Sequence, residues 1–430
     1  MNSNRKFSNP ALTTGAAALR VTADGTRRWV IIGLLSLGII IAYLSRSNLA
    51  VALVIPDVLT SLHLSDTDRG TLNSAFFWAY AALQLPAGWV VDRYGVKWPY
   101  ALGFLFWCVA SAATALVSSV AQLMTLRILV GVGESVVAPA SYRWIRLNFI
   151  ERERGLAVGL YMTGTKIGPA IGTPLAAWLI TRYDWRTMFL VVGAGGLIWL
   201  IPWLALVNDR RATAPEFAKA SEANPGAFRS SLASPVTWGT VIATFCYMYF
   251  VYFCMTWMPA YFMEKRHLSL SRMGLYTFFS FGGMALVAAL SGWAADLMIA
   301  RGRDPVTVRK WFTIAGFGVA CTEIIGAQSP SIPVALAFSV VSLSGLGLAT
   351  ANYWALTQTL IPVSSIGRVS GIQNCAASVA GIAAPIFTGW LKERSGSYEA
   401  PMLACCAFLV AGVLSYILMV SERYAPGAEG

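Results

Sequence analysis

The stretch Arg127-Ile128-Leu129-Val130-Gly131-Val132-Gly133-Glu134 places two ionisable side chains inside a run that is otherwise apolar enough to lie in a membrane. A charge near the bilayer centre costs about 2.5–3.5 kcal/mol even on the lenient insertion scale, so such residues usually face a polar cavity or a partner. Arg127 and Glu134 are about two helical turns apart, so they share one face, separated by about 10 Å of rise. The stretch predicts a membrane helix with that face on a cavity; the alternative is an ion pair with a neighbouring helix.

A further charge, Arg46, lies in the equally apolar segment Tyr43-Leu44-Ser45-Arg46-Ser47-Asn48. Glu134 is the one strong acid that the sequence places at comparable depth nearby, so two cations face one acid. An anionic substrate would balance the remaining positive charge, with Glu134 as the group that gains and loses a proton. Because guanidinium presents a fork that fits two oxygens, Arg46 and Arg127 are the predicted carboxylate-binding residues.

The composition excludes an ordinary soluble protein. Of 430 residues, 57% are hydrophobic and 12% are charged, which is typical of a polytopic membrane protein. The net charge of +12 could suggest a nucleic-acid partner, but the basic residues are scattered through short links between apolar spans. They report membrane topology instead, and we expect no nucleic acid to bind.

The seven cysteines fall in apolar spans without a Cys-x-x-Cys pair, so we expect neither a disulfide framework nor a metal site.

About twelve candidate spans have the roughly 20 mostly apolar residues that a bilayer requires. They begin near Trp29, Thr71, Tyr100, Ala121, Gly155, Thr187, Val236, Gly274, Lys310, Ile332, Gly367 and Ala400. Each should be helical, because backbone groups in hydrocarbon must be satisfied within their own segment. Most basic residues fall in alternate links, which predicts cytoplasmic termini and a multi-pass protein of a cell membrane, the inner membrane in a bacterium.

The longest polar link, about Asn208 to Pro235, divides the spans into two sets of six, and a similar loop follows the second span of each set. Such duplication is how many secondary transporters are built, with the substrate site near mid-membrane between the halves. We therefore predict an all-α membrane protein with about twelve transmembrane helices in two pseudo-symmetric six-helix bundles. The predicted segments are a disordered cytoplasmic tail (1–26), the first bundle (27–207), a cytoplasmic linker (208–235), the second bundle (236–420) and a C-terminal tail (421–430).

The duplicated loop is Gly88-Trp89-Val90-Val91-Asp92-Arg93-Tyr94-Gly95-Val96-Lys97, with a weaker repeat from Gly292 to Arg303. It resembles the signature loop of the major facilitator superfamily. Within that superfamily the chain resembles the anion:cation symporters, which include bacterial sugar-acid transporters. Three features carry this second resemblance: Arg46 in Tyr-x-x-Arg-x-Asn, the Arg127 and Glu134 pair, and Gly381-Ile382-Ala383-Ala384-Pro385. The resemblance covers nearly the whole chain outside the tails and the central link.

The resemblance implies roles for further residues. Asp92, Arg93, Asp296 and Arg301 would form a cytoplasmic latch that stabilises the outward-open state, and Tyr80 would contact substrate through its hydroxyl. A galactonate-carrying member of the family has an Asp immediately before the first-span Arg, where this chain has Ser45. The number of coupled protons is therefore open.

Other candidates for substrate contact are polar or aromatic residues inside the spans. They are Tyr43, Tyr80 and Gln84 in the first bundle and Tyr252, Trp354 and Asn374 in the second. Each also has a structural alternative: Tyr80 could pack between helices with its hydroxyl on a backbone carbonyl, and Asn374 could join two helices.

Lys166 lies about eleven residues into the fifth span, close to mid-depth. It could add a third cation for the substrate, or pair with Glu134 and tune its proton affinity; the alternative is a lysine that snorkels toward the cytoplasm. The surrounding glycines, from Gly164 to Gly172, resemble a motif of drug:proton antiporters and would favour an exporter. Glycines at this spacing also simply permit close helix packing.

The predicted function is import of a small organic anion, such as a sugar acid, by proton symport through alternating access, in a monomer without cofactor or metal. The alternative within transport is a proton-coupled antiporter that exports organic or drug-like compounds. A membrane enzyme or a substrate-sensing receptor of the same fold is the rival from another class. Against an enzyme, the spans contain no metal-ligand cluster or nucleophile–base pair. Glu323, in an apparently peripheral ninth span, is not predicted to take part.

Overall fold

The computed structural model describes residues 10–208 and 225–425. Twelve long helices follow one another in these residues, some of them built from consecutive segments, with shorter helices in the links between them. They are α1 (Pro10–Ala52), α2 (Asp66–Tyr94), α3 (Lys97–Ala113), α4 (Val120–Glu134 and Val137–Asn148), α5 (Glu151–Arg182), α6 (Trp185–Gly196, Leu197–Trp199 and Leu200–Leu206), α7 (Pro235–Thr256), α8 (Leu270–Ala300), α9 (Pro305–Ala320 and Glu323–Gln328), α10 (Ile332–Leu360), α11 (Val363–Ser395) and α12 (Glu399–Met419). The predicted all-α fold of twelve spans is confirmed.

Apart from α1, each helix starts within five residues of its predicted position. The differences arise because polar caps precede the apolar runs. At the start of α2, the Ser65 hydroxyl accepts a hydrogen bond from the backbone N–H of Asp68, whose carboxylate accepts one from the backbone N–H of Ser65. Asp304 caps α9 in a similar way, by accepting from the backbone N–H of Thr307.

Parts of the predicted tails and linker are helical in this structure. Helix α1 begins at Pro10, inside the segment predicted to be disordered, and residues 1–9 lie outside the described part. Of the predicted linker, Pro225–Ala233 is a short helix and residues 209–224 lie outside the described part. The C-terminal segment contains a turn, Glu422–Tyr424, and residues 426–430 lie outside the described part. The domain boundaries stay predictions.

Helix α5 packs against α1 through the glycines that resemble an antiporter motif. A Cβ atom at Gly168 would lie 2.8 Å from the carbonyl oxygen of Ile40, and one at Gly164 would lie 2.9 Å from that of Ser36. Both distances are too short for a methyl group, so the close approach of the two helices requires glycine. The motif therefore has a sufficient explanation in helix packing.

The two halves of the molecule meet along α2 with α11 and α5 with α8. Because the number of spans is even, the start of α1 and the end of α12 lie on one side, which we call the terminal side; the opposite side is the far side. Near the far side the halves are in direct contact: a Cβ at Gly70 of α2 would collide with the carbonyl of Pro385 on α11, and one at Gly274 of α8 would lie 2.9 Å from Cα of Pro174 on α5.

The same helix faces separate toward the terminal side. Gly88 lies 18 residues after Gly70 on α2, and Gly371 lies 18 residues before Gly389 on α11, so in each helix the two glycines share a face, five turns apart. Gly389 sits against the carbonyl of Asp66, whereas a Cβ at Gly88 or Gly371 would meet no atom within 4 Å. The molecule is therefore closed on the far side and open between the halves on the terminal side.

Candidate functional site

The centre of the candidate site is an ion pair between α1 and α4. The Nε atom of Arg46 donates to Oε2 of Glu134 over 2.7 Å, and the exposed fractions of the two side chains are 3% and 0%. The alternative considered for Glu134, an ion pair with a neighbouring helix, thus describes its contact in this structure. Because a buried charge without a partner is costly, each group stabilises the ionised form of the other.

Aromatic rings enclose the Arg46 guanidinium. Its Cζ atom lies 4.4 Å from the ring centroid of Tyr43, 4.4 Å from that of Phe76 and 4.8 Å from that of Tyr80. Cations at such distances are attracted by the faces of the rings. Tyr43 and Tyr80, predicted as substrate contacts, therefore lie at the ion pair. Phe76 was missed because an apolar ring carries no signal of its own in an apolar span.

Arg127 is different from Arg46, although it too is buried, with an exposed fraction of 2%. Within the described residues it has no ion pair, and its Nε atom is buried without a hydrogen-bond partner. Nearby, the Oε1 atom of Glu134 is also without a partner. Helix α4 is fixed against α2 between these residues, where Gly131 contacts the carbonyl of Phe76. The site thus holds one neutralised charge pair and one buried guanidinium without an ion-pair partner in the described residues.

Lys166 is half-buried on α5, and its Nζ donates to the hydroxyl of Thr165 over 2.8 Å. The contact with Glu134 that we considered is not formed in this conformation; the ion-pair partner of Glu134 in the described residues is Arg46. Lys166 lies seven residues after Gly159 and eleven after Gly155, so each glycine lies within about 20° of Lys166 around the helix axis. A Cβ at either glycine would meet no atom within 4 Å, so Lys166 lies on a face of α5 that is open toward the terminal side.

The predicted contacts of the second half are more dispersed. Tyr252 is buried and its ring meets that of Phe77 on α2 at 4.6 Å, which places it at the junction of the halves. Trp354 is half-buried beside Tyr353, with ring centroids 5.3 Å apart, and Asn374 is exposed. Gln84 of α2 is half-buried. Tyr252 thus lies close to the Arg46 region, because Phe77 in turn packs edge-on against Phe76, whose ring lies over Arg46.

The four predicted latch residues lie at the terminal side. Asp92 pairs with Arg143 of α4, and Asp296 pairs with Arg309 of α9 at 3.0 Å, so each acid is bound within its own half. Arg93 lies over the ring of Tyr94 at 5.9 Å, and Arg301 is exposed. Because Asp92 and Asp296 each pair within their own half, these two ion pairs do not join the halves at the terminal side, which is open in this conformation. The latch itself stays a prediction.

Sequence analysis missed a second charged cluster, which joins the halves on the far side. Arg69 of α2 donates to Asp66 and forms an ion pair with Glu264, each at 2.8 Å, and Lys392 of α11 bonds the same two acids at 2.8 and 2.6 Å. The Tyr398 hydroxyl donates to Glu264 at 2.7 Å. We call these five residues the far-side cluster. The signal was present as acidic residues next to basic ones in the far-side links, but sequence does not show which links meet.

Comparison with known proteins agrees with this architecture. The sequence matches the model of the Major Facilitator Superfamily over residues 35–385, so the chain belongs to that superfamily. It is a multi-pass membrane transporter and not an enzyme.

Individual relatives make the comparison more specific. A D-galactonate transporter of Escherichia coli O6:H1 is 28% identical over 420 residues, which cover 93% of this chain and 96% of that protein. A protein of Bacillus subtilis named "probable galactarate/D-glucarate transporter" is 28% identical over 428 residues, covering 91% and 92%. A solved bacterial homologue of the human lysosomal transporter Spinster superposes with a TM-score of 0.78 at 18% identity, over 94% of this chain and 98% of that one. The predicted resemblance is confirmed.

Proposed function

We propose that this protein imports a small organic anion, of the sugar-acid class, together with one or more protons. The observation that carries the proposal is the buried guanidinium of Arg127, which has no ion pair within residues 10–208 and 225–425, whereas Arg46 is paired with Glu134. A buried charge without a partner is costly, and a ligand of opposite charge would offset that cost. The names of the galactonate and galactarate/D-glucarate relatives support an acid as that ligand.

Proton coupling follows from competition for Arg46. When Glu134 is ionised, it holds the guanidinium at 2.7 Å. When Glu134 takes up a proton, it loses its charge, and Arg46 becomes available to a substrate carboxylate beside Arg127. Loss of the proton lets Glu134 reclaim Arg46 and displaces the anion. Proton and anion would therefore bind together and leave together, which is the requirement for symport.

Alternating access requires that only one side be open at a time. In the orientation that we propose, with both termini in the cytoplasm of a bacterial cell, the terminal side is the cytoplasmic side and this conformation is inward-facing. The far-side cluster would then close the external entrance. Asp92 and Asp296 would act in the opposite conformation, when the cytoplasmic ends of α2 and α11 come together.

Export by proton antiport was suggested by the glycines of α5, but these residues are explained by contact with α1. The direction is tested by uptake into proteoliposomes with D-galactonate and D-glucarate as probes. Symport predicts accumulation when the outside is acidic and the lumen is alkaline, and loss of accumulation in Arg127→Met. Accumulation driven instead by an acidic lumen would contradict symport and establish antiport. Absence of uptake of either acid under both gradients would contradict the sugar-acid assignment.

A further inference from the structure

The charges in the first bundle exceed what one carboxylate can neutralise. Three cations, Arg46, Arg127 and Lys166, lie in the buried parts of α1, α4 and α5, and Glu134 is the one acid among them in the described residues. The other buried acid of the spans, Glu323, is bonded to Ser339 and Ser342 in the second half. With Glu134 ionised, two positive charges are unmatched by an acid in this group.

Two of the three cations, Lys166 and Arg46, are separated along the membrane normal. Gly168 of α5 contacts Cβ of Tyr43 on α1, so these residues lie at one level. Lys166 is two residues toward the terminal side from Gly168, about 3 Å of rise, and Arg46 is three residues toward the far side from Tyr43, about 4.5 Å. Because α1 and α5 run in the same direction, both side chains tilt the same way, and the offset of roughly 7.5 Å between their levels is kept.

An offset of this size suits a molecule with an anionic group at each end. One end would lie between Arg46 and Arg127. The other end would reach the Lys166 ammonium, whose hydrogen bond in the described structure goes to the neutral hydroxyl of Thr165. Lys166 also lies on the face of α5 that is open toward the terminal side, as Gly155 and Gly159 show, so a second anionic group has room to approach it.

We infer that the physiological substrate is an elongated dianion, such as an open-chain sugar diacid, and that Lys166 determines this specificity by binding its second carboxylate. The inference rests on the proposed function and adds to it the charge of the substrate. A sugar monoacid offers a neutral hydroxyl at the position of the second carboxylate, which can accept a hydrogen bond but cannot neutralise the ammonium, and a buried charge without a counter-charge is costly. The diacid is therefore preferred because a bound monoacid leaves the Lys166 ammonium without a counter-charge.

The test compares acids that differ at one carbon. D-Glucarate and D-gluconate, and likewise galactarate and D-galactonate, have the same chain and hydroxyl groups, with a carboxylate or an alcohol at C6. Dissociation constants are measured on the full-length protein by calorimetry and by competition in counterflow. In at least one pair the diacid should bind ten-fold or more tightly than the monoacid. Lys166→Gln should remove this difference by weakening the diacid, with little change for the monoacid, whereas Lys166→Arg should keep it.

The outcomes separate the two proposals. Equal or tighter binding of the monoacid in both pairs would overturn the dianion inference and leave the transport of sugar acids standing. A diacid preference that survives in Lys166→Gln would overturn the role of Lys166. Binding of none of the four acids would contradict the proposed function itself, and the inference with it. Thr165→Ala is the matched control, because it removes the hydroxyl that holds the ammonium and should leave the diacid preference in place.

Discussion

The guanidinium of Arg46 and the carboxylate of Glu134, on two different helices, are joined by a 2.7 Å hydrogen bond in a place where both are almost fully buried. The charge state of the Glu134 carboxyl would therefore decide whether the Arg46 guanidinium can bind another anion. A proton that binds Glu134 would take the place of Arg46 there, and an anion that binds Arg46 would take the place of Glu134. In the symport that we propose, coupling would therefore be local, without a relay between distant groups.

Substitution of Arg127 tests whether its unpaired guanidinium binds the substrate. Arg127→Lys keeps the charge but loses the planar fork that fits two oxygens. A hydrogen bond to a charged group contributes about 1.5–3 kcal/mol, so the dissociation constant for the sugar acid should rise by about ten-fold or more. Calorimetry on purified protein measures it, with the melting temperature as the control for folding. Unchanged affinity in a folded variant would remove Arg127 from the site.

The far-side cluster should make stability depend on pH through Glu264, which lies beyond the apolar part of α7. Partial burial by itself raises the pKa of this carboxyl, but the charge of Arg69 and hydrogen bonds from Lys392 and Tyr398 outweigh burial and lower the pKa below its usual value. A lowered folded-state pKa stabilises the fold above the unfolded value of about 4.3, and this contribution is lost as pH falls through the folded pKa.

The measurement is the difference in melting temperature between the parent protein and Glu264→Gln. We expect this difference to be constant from about pH 7 to pH 5.5 and to shrink as the pH falls below the ordinary carboxyl range. Asp66 and Lys392 also face Glu264, so Asp66→Asn is a useful comparison. A difference that grows toward acidic pH would mean that the pKa of Glu264 is raised, and the account of the cluster would be wrong.

Glycine at position 70 should be needed for closure of the far side. A Cβ there would collide with the backbone carbonyl of Pro385, whereas one at Gly88 would meet nothing in this conformation. Gly70→Ala should therefore open the far side, and Gly88→Ala should not. Opening is followed by maleimide labelling of Ser74→Cys in a background without the native cysteines, since Ser74 is fully buried one turn from Gly70. Equal labelling rates in the two alanine variants would contradict this packing.

The sequence was sufficient for the fold because long apolar runs in a bilayer have few alternatives to helices. It also placed Arg46, Arg127 and Glu134 inside apolar spans. It did not predict which cation holds Glu134: helical periodicity relates residues of one helix, so Arg127 was the visible neighbour, whereas Arg46 reaches Glu134 across an interface between helices. The far-side cluster was missed for the same reason, since Asp66 and Lys392 are 326 residues apart in the chain.

The most direct test of the coupling mechanism compares the two buried acids of the spans. Glu134→Gln imitates the protonated carboxyl, and Glu323→Gln is the matched control, because Glu323 is equally buried but bonded to serines of the second half. Each variant is assayed in proteoliposomes for counterflow of a sugar acid and for uptake driven by an acidic exterior. We predict that Glu134→Gln keeps counterflow and loses gradient-driven accumulation, while Glu323→Gln keeps both. Gradient-driven accumulation that survives in Glu134→Gln would contradict the account.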